Sequence, residues 1–358
     1  MTLLKPGDRV SETLVVDRML GEGAFAEVHR VRHRYLGWQA MKVFKRVAST
    51  AQTRAMLGEA RLLSTLGHRN IVRLFDAGTV QTSEGLRGYF TMEYVPGGSL
   101  ERLAAAHRRA VPTPLVAEVM TQVAAGLAVA HEQEPPILHR DVTLANVLVG
   151  YDGAGMRVRV SDFGLAKAAD PFTQLASAQG TYAFMAPEVW RHQGYSCASD
   201  VWSVGTIGYL LLTHHLPYDD GAPFTSYSPA RFHRALLPPS RYNETVDADL
   251  DRIIMAVLDV DSGSRPATAG ILADALRARA DRLAGQPPAT IPGGTPATAA
   301  AAPSERAQRL ADEALRLSRN PGELDRAADV LEEAVTMSPR LRELHLHTLI
   351  LWRRGVMM

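Results

Sequence analysis

The first residues able to do chemistry lie in two short stretches near the start of the chain. "GEGAFAEV" (21–28) sets Gly21 and Gly23 around a turn. Backbone N–H groups in such a turn can approach an anion closely, and phosphate is the anion they commonly cradle. Gly21, Glu22, Gly23 and Ala24 are the candidates for that contact, with Ala26 standing where a third glycine would complete the pattern. Two other readings stay open on this stretch alone, a dinucleotide-binding turn and a plain structural hairpin. The dinucleotide turn needs its glycines to open a helix, whereas "AEVHRVRH" continues as a strand. Nineteen residues beyond Gly23, Lys42 sits in "AMKVF". A lysine among apolar neighbours turns inward only where an anion awaits it. Glu59, 17 residues further on, is a suitable partner. The competing reading is a lysine exposed on the surface.

The elements that must position these groups follow from periodicity. Residues 13–23, 25–33 and 38–46 read as three strands, and residues 52–67 carry apolar positions at helical spacing. "NIVRLFDAG" and "GYFTMEYV" return to strand character. From about residue 99 the pattern turns helical: 114–133 reads as a long amphipathic helix, and 200–214 is apolar on most faces, as a buried helix is. A β-rich first part followed by a helix-rich second part implies an α+β fold of two lobes within one catalytic unit. Residues 284–303 hold five prolines, three glycines and no charge, the composition of a linker. Residues 304–358 resume helical periodicity in three segments broken at Asn320-Pro321 and Ser338-Pro339. Ala327, Leu331, Ala334 and Pro339 match the second helix of a tetratricopeptide repeat, whereas Ala314, Leu315 and Ser318 fit its first helix poorly. A generic helical hairpin is the alternative.

Three further stretches, "HRDVTLAN" (139–146), "DFG" (162–164) and "APE" (186–188), occur in order, followed by "DVWSVG" (200–205) and "SRPAT" (264–268). With the glycine-rich turn and Lys42, this series resembles the bacterial eukaryotic-like Ser/Thr protein kinases over roughly residues 10–283. The resemblance implies a two-lobed kinase domain over residues 10–283, after an N-terminal extension of residues 1–9, that uses ATP with Mg²⁺ or Mn²⁺. It implies that Lys42, held by Glu59, contacts the α/β-phosphates and that Asp141 accepts or orients the proton of the substrate hydroxyl. Asn146 and Asp162 would hold the metal ions through hard oxygens. Met92 falls at the gatekeeper position, and Glu93 and Val95 would bind the adenine edge. Val28, Ala40 and Leu148 would pack on its faces, a role compatible with ordinary core packing. Phe163 and His139 match an internal hydrophobic spine. Asp200 would brace the catalytic loop, and Arg265 would pair with Glu188.

The departure from the family pattern is Thr143, where Ser/Thr kinases carry a lysine that contacts the γ-phosphate; Leu144 also replaces the usual proline. Losing one cation from the charge-bearing transition state compares with deleting an oxyanion-hole donor, about 10²–10³ in rate. Lys42, Asp141, Asn146 and Asp162 all remain, so an active, slower kinase is expected. The runner-up is a pseudokinase scaffold that binds nucleotide weakly and recruits partners through its helical tail. A small-molecule phosphotransferase is a third class, disfavoured because "APE", "DVWSVG" and "SRPAT" belong to the surface that docks protein substrates in the family.

Thr181 in "GTYAFMAPE" points to Ser/Thr acceptors. Arg140, beside the catalytic aspartate, would pair with a phosphate on the activation segment, where Thr173, Ser177 and Thr181 are the candidate sites. Bulk composition adds exclusions. With 39 basic and 38 acidic residues the formal charge is +1, which gives no support to nucleic-acid or membrane-surface binding. One cysteine, Cys197, rules out an internal disulfide and fits a reducing cytoplasm. The start "MTLLKPGDRV" is too short and polar for a secretory signal, and the longest apolar run, 201–212, is shorter than a membrane span. A protein substrate, and a protein partner at the C-terminal helices, are the expected interactions.

Overall fold

The computed structural model describes residues 2–45, 65–107, 110–163, 182–219, 229–285 and 303–356. The chain divides into two compact units, Met1–Val95 with Asp162–Thr181, and Pro96–Ser161 with Tyr182–Met358.

The first unit is built on β1 (Leu14–Glu22), β2 (Ala26–His33), β3 (Gly37–Phe44), β4 (Leu74–Thr82) and β5 (Gly85–Glu93). They form one antiparallel sheet in the order β1-β2-β3-β5-β4. Alternation along each strand gives the sheet two faces. On one face Leu14, Val16, Val31, Met41, Val43, Val80 and Tyr89 form an apolar core. The N-terminal extension closes that face: Leu3 and Leu4 join the core. The Leu3 N–H donates to both carboxylate oxygens of buried Glu27 at 3.0 Å, and Glu27 also contacts His29 Nε2 at 2.9 Å. The extension thus gives buried Glu27 a backbone donor in addition to its neighbour His29 on the same strand. The other face carries Lys42, opposite Val28 on β2 and Phe90 on β5, and Ala40, opposite Met92.

In the second unit α1 (Leu100–Ala105) and α2 (Thr113–His131) are followed by the hairpin β6 (Val147–Asp152) and β7 (Gly155–Val160). Then come α3 (Pro187–Trp190), α4 (Cys197–Thr213), α5 (Ala248–Val257) and α6 (Ala269–Ala284). Helix α2 is long and apolar enough by length and composition to cross a membrane, a property that a search for unbroken apolar runs overlooks. It packs against α4, α6 and β7, and 61% of that apolar window is buried, as in the core helix of a folded domain. Helix α4 begins at a capping box between Ser196 and Ser199 and is buried along nearly its whole length. Gly205 is required there because a Cβ would stand 2.5 Å from Val257 Cγ2 of the α5 layer.

The tail folds as the sequence breaks predict, into α7 (Glu305–Leu317), α8 (Leu324–Met337) and α9 (Pro339–Arg353). Ser304 caps α7 through the Ala307 N–H, and Ser338 caps α9 through the Leu341 N–H. Ala327, Leu331 and Ala334 are fully buried. These helices belong to the second unit.

Candidate active site

In the second unit the loop after α2 is held by one side chain distant in sequence, itself fixed by groups from two other helices. Asp200, 2% exposed in the first turn of α4, accepts the backbone N–H of His139 at 2.8 Å and of Arg140 at 2.9 Å. Its third partner is His131 Nε2 at 3.1 Å. The Ala269 N–H donates to His131 Nδ1, so His131 is neutral with its proton on Nε2, aimed at Asp200. Thus α2, α4 and α6 converge on one carboxylate that fixes the loop. His139 is fixed the same way: Nδ1 accepts the Asp141 N–H at 3.2 Å, leaving Nε2–H to donate to the Ser161 carbonyl at 2.9 Å. Arg140 is pulled into the left-handed region, φ 63°. Such a conformation costs of order 1–3 kcal/mol in a non-glycine residue and persists only where surroundings enforce it, as Asp200 does here.

The loop presents Asp141 and Asn146 together. Asn146 Nδ2 donates to the Asp141 carbonyl at 2.8 Å and to Asp141 Oδ2 at 3.1 Å, which leaves Asn146 Oδ1 as the acceptor of that amide. The Asn146 carbonyl in turn accepts from Ser161 N and Ser161 Oγ. Burial, with the nearby charge of Asp141 adding to it, pushes the Tyr195 phenol above its ordinary range. His131 and Tyr195 went unnoticed in the sequence, because a lone histidine ending a helix and a lone tyrosine in a loop carry no spacing signal. Thr143 is buried. Leu148, half-buried on β6, bridges to Ser99.

In the first unit Lys42 Nζ lies 2.8 Å from Asp162 Oδ1, both side chains partly buried. The contact lacks hydrogen-bond geometry, so that buried oxygen keeps acceptor capacity for a hard cation. Asp162 also holds a positive φ, 60°. Val28, Ala40 and Met92 share the Lys42 face of the sheet by register, and Ala40, Met92 and Val95 are buried. The Glu93 N–H donates to the Arg73 carbonyl. Between β1 and β2, the Gly23 N–H donates to the Ala26 carbonyl, and Glu22 is paired with Lys45, which holds its carboxyl below the ordinary range. Gly21 and Ala24 are exposed beside them. Glu59, Thr173, Ser177 and Thr181 lie outside the described residues.

Below the loop, Arg265 donates Nη1 to Glu188 Oε1 at 2.9 Å and Nη2 to Glu188 Oε2 at 2.8 Å, a bidentate buried pair. Burial pushes the Glu188 carboxyl up, but the hydrogen bonds and charge of Arg265 outweigh it and hold the acid below its ordinary value.

Residues 14–276 match the family described as protein kinase domain. The chain is 31% identical over 291 residues to the serine/threonine-protein kinase PknB of Mycobacterium leprae, covering 78% of this chain and 44% of that protein. Mitogen-activated protein kinase kinase kinase 10 of Mus musculus is 33% identical over 268 residues, covering 72% of this chain and 27% of that one. The chain therefore spans less than half the length of these relatives. Among solved structures, the Mycobacterium tuberculosis PknI kinase domain aligns with a TM-score of 0.57 at 25% identity, over 77% of this chain and 99% of that one.

Proposed function

The chain belongs to the protein kinase family, with that fold's β-sheet lobe and helical lobe, and from this premise we propose that it transfers the γ-phosphoryl group of ATP to Ser or Thr hydroxyls of proteins. The observation that carries this reading is the pair Asp141–Asn146, held by the Asp200 brace with the amide oxygen left over as an acceptor. Asp141 would take up the hydroxyl proton as the bond to phosphorus forms. Asn146 and Asp162 would hold Mg²⁺ or Mn²⁺, and their hard oxygens fit such an ion. When bound, that ion neutralises charge on the ATP phosphates. Lys42 would contact the α/β-phosphates, exchanging part of its attraction to Asp162 for the nucleotide. Gly21 to Ala24 would cover the phosphates, while Glu93, Val95, Ala40, Val28, Met92 and Leu148 would hold the adenine.

Radiolabel transfer from ATP with Mg²⁺, to the protein itself and to a generic basic protein, tests the proposal. Label on phosphoserine and phosphothreonine is the expected result; none, with nucleotide still bound, would leave a scaffold. No residue whose loss would mark such a scaffold is missing: Lys42, Asp141, Asn146 and Asp162 are all present. Autophosphorylation at Thr173, Ser177 or Thr181, read out through Arg140, is part of the same proposal. So are a protein partner at the C-terminal helices and their descent from a tetratricopeptide repeat, with residues 10–283 as the catalytic domain.

Thr143 supplies a graded prediction. Thr143→Lys restores a cation for the γ-phosphoryl oxygens, and kcat is expected to rise at least about tenfold toward the 10²–10³ worth of one such contact. Steady-state kinetics at saturating ATP reads the effect, and an unchanged or lower kcat would mean that the site already neutralises this charge.

A further inference from the structure

The C-terminal half of helix α8 is not amphipathic in its packing. All six residues from Leu331 to Thr336 are buried, among them Glu332, Glu333 and Thr336. A helix buried on every side has neighbours on every side. α7 and α9 pack against it, and so do α1 and β6 of the kinase domain.

The polar groups on the kinase-facing side have specific partners. Glu332, 1% exposed, accepts the backbone N–H of Tyr151 on β6 at 3.0 Å, and its other oxygen accepts Arg353 Nε at 3.1 Å. Glu333 pairs with Arg102 of α1 at 3.2 Å. Arg342 of α9 meets His107 Nε2 at 3.1 Å, and Arg354 donates to the Gly153 carbonyl in the β6–β7 turn. Thr336 reaches the segment that follows Val95. A Cβ at Gly97 would stand 2.3 Å from the Val149 carbonyl oxygen of β6 and 2.7 Å from Thr336 Oγ1, so Gly97 is wedged between strand and tail. On the far side of that wedge the Val149 N–H donates to the Gly98 carbonyl at 2.8 Å, and Ser99 bridges to Leu148.

Both elements gripped by α8 lead to residues expected to hold adenine. Pro96–Ser99 continues directly from Val95, and β6 carries Leu148 three residues before Tyr151. We propose that the C-terminal helices are a nucleotide-positioning clamp: Glu332, through the Tyr151 N–H, and Thr336, against Gly97, hold β6 and the Pro96–Ser99 segment in place, so that nucleotide affinity and docking of the tail are coupled. The proposal rests on the kinase reading above. Glu332 and Thr336 are positioning residues, acting through backbone that touches the nucleotide's neighbours rather than the nucleotide. Burial raises the Glu332 acid to about 7 against the pull of Arg353; an amide at this position keeps one acceptor oxygen for the Tyr151 N–H, and Arg353 keeps Asp329 as its partner.

The test uses the full chain and Mg·ADP as probe. Coupling is reciprocal, with typical values of 5–150-fold, so Glu332→Ala is expected to weaken Mg·ADP binding about tenfold. KM for ATP should rise with it while kcat at saturating ATP stays within about twofold. Glu332→Gln, which keeps an oxygen for the Tyr151 N–H, should restore most of the affinity. Thr336→Ala, which removes the side chain packed against Gly97, is a second variant should Glu332→Ala fail to fold, and it is expected to weaken Mg·ADP binding in the same direction. In the wild type, saturating Mg·ADP should slow amide hydrogen exchange in α8. Binding of Mg·ADP with unaltered exchange in α8, or a folded Glu332→Ala variant with wild-type affinity, would overturn the coupling alone. Failure of wild type to bind Mg·ADP would overturn the kinase reading and the coupling with it.

Discussion

Asp141→Asn is expected to lower phosphoryl transfer by about 10²–10⁴, the range that a positioned proton acceptor contributes, while the protein remains folded. The geometry makes the substitution clean. Asn146 Nδ2 donates to both the carbonyl and the Oδ2 of Asp141, and an asparagine can present its own amide oxygen to the same donor. The loop backbone is held independently, by Asp200 at the His139 and Arg140 N–H groups and by His139 Nδ1 at the Asp141 N–H. What asparagine cannot do is accept a proton as the substrate hydroxyl attacks. Initial rates at saturating ATP, alongside a thermal melt, measure both sides. A folded variant that transfers phosphate within about threefold of wild type would remove Asp141 from the chemistry, since it falls far below the smallest effect of a lost general base.

Arg265→Ala is expected to cost about 3–5 kcal/mol of stability at neutral pH, the range for removing one partner of a buried ion pair. Glu188 is 8% exposed and would keep only weaker partners for its charge, the Ser199 hydroxyl at 2.8 Å and its own backbone N–H. The arginine also donates to the backbone carbonyls of Asp259 and Ala198 and lies over the Trp202 ring, 4.8 Å from its centroid, so several contacts vanish together. The pH dependence has a definite sign. Because Arg265 holds the folded-state pKa of Glu188 below its ordinary value of 4.5, the pair's contribution is present above that value. It is lost as pH falls through the folded-state pKa. The stability gap between wild type and variant should therefore narrow as pH is lowered below about 4.5. Urea unfolding at neutral and acidic pH checks this, and a gap independent of pH would assign the loss to packing rather than to the ion pair.

Most of the secondary structure was legible because its signals are local. Alternation gave the strands around Lys42 to within a residue or two, and the Asn320-Pro321 and Ser338-Pro339 breaks separated the three tail helices. The paired roles of Asp200 and of Arg265 with Glu188 were legible as family motifs, and the hydrogen bonds follow them. The N-terminal extension was harder to read. Its Leu3 and Leu4 look like two isolated apolar residues, and nothing local says that they cover Glu27 and His29 on a sheet face. Helix α2, read from its periodicity as amphipathic, is apolar enough in composition to match a membrane span, and its packing against α4 and α6 is that of a core helix.

The sequence alone carries the groups proposed to react, Lys42, Asp141, Asn146 and Asp162, and a threonine where the family resemblance leads one to expect a cation. Those are matters of residue type and order, which the chain carries in one dimension. The tertiary structure alone decided which buried polar group satisfies which. His131 receives its tautomer from Ala269 and passes it to Asp200, and Glu332 meets the backbone of Tyr151 across 181 residues of sequence. A hydrogen bond has no sequence period when its partners come from different elements. It is fixed only when burial removes water and leaves each donor one acceptor within reach. The tail is the clearest case: its periodicity specifies helices, but only the packing of α8 against Gly97 and β6 turns an appended hairpin into part of the kinase domain's architecture.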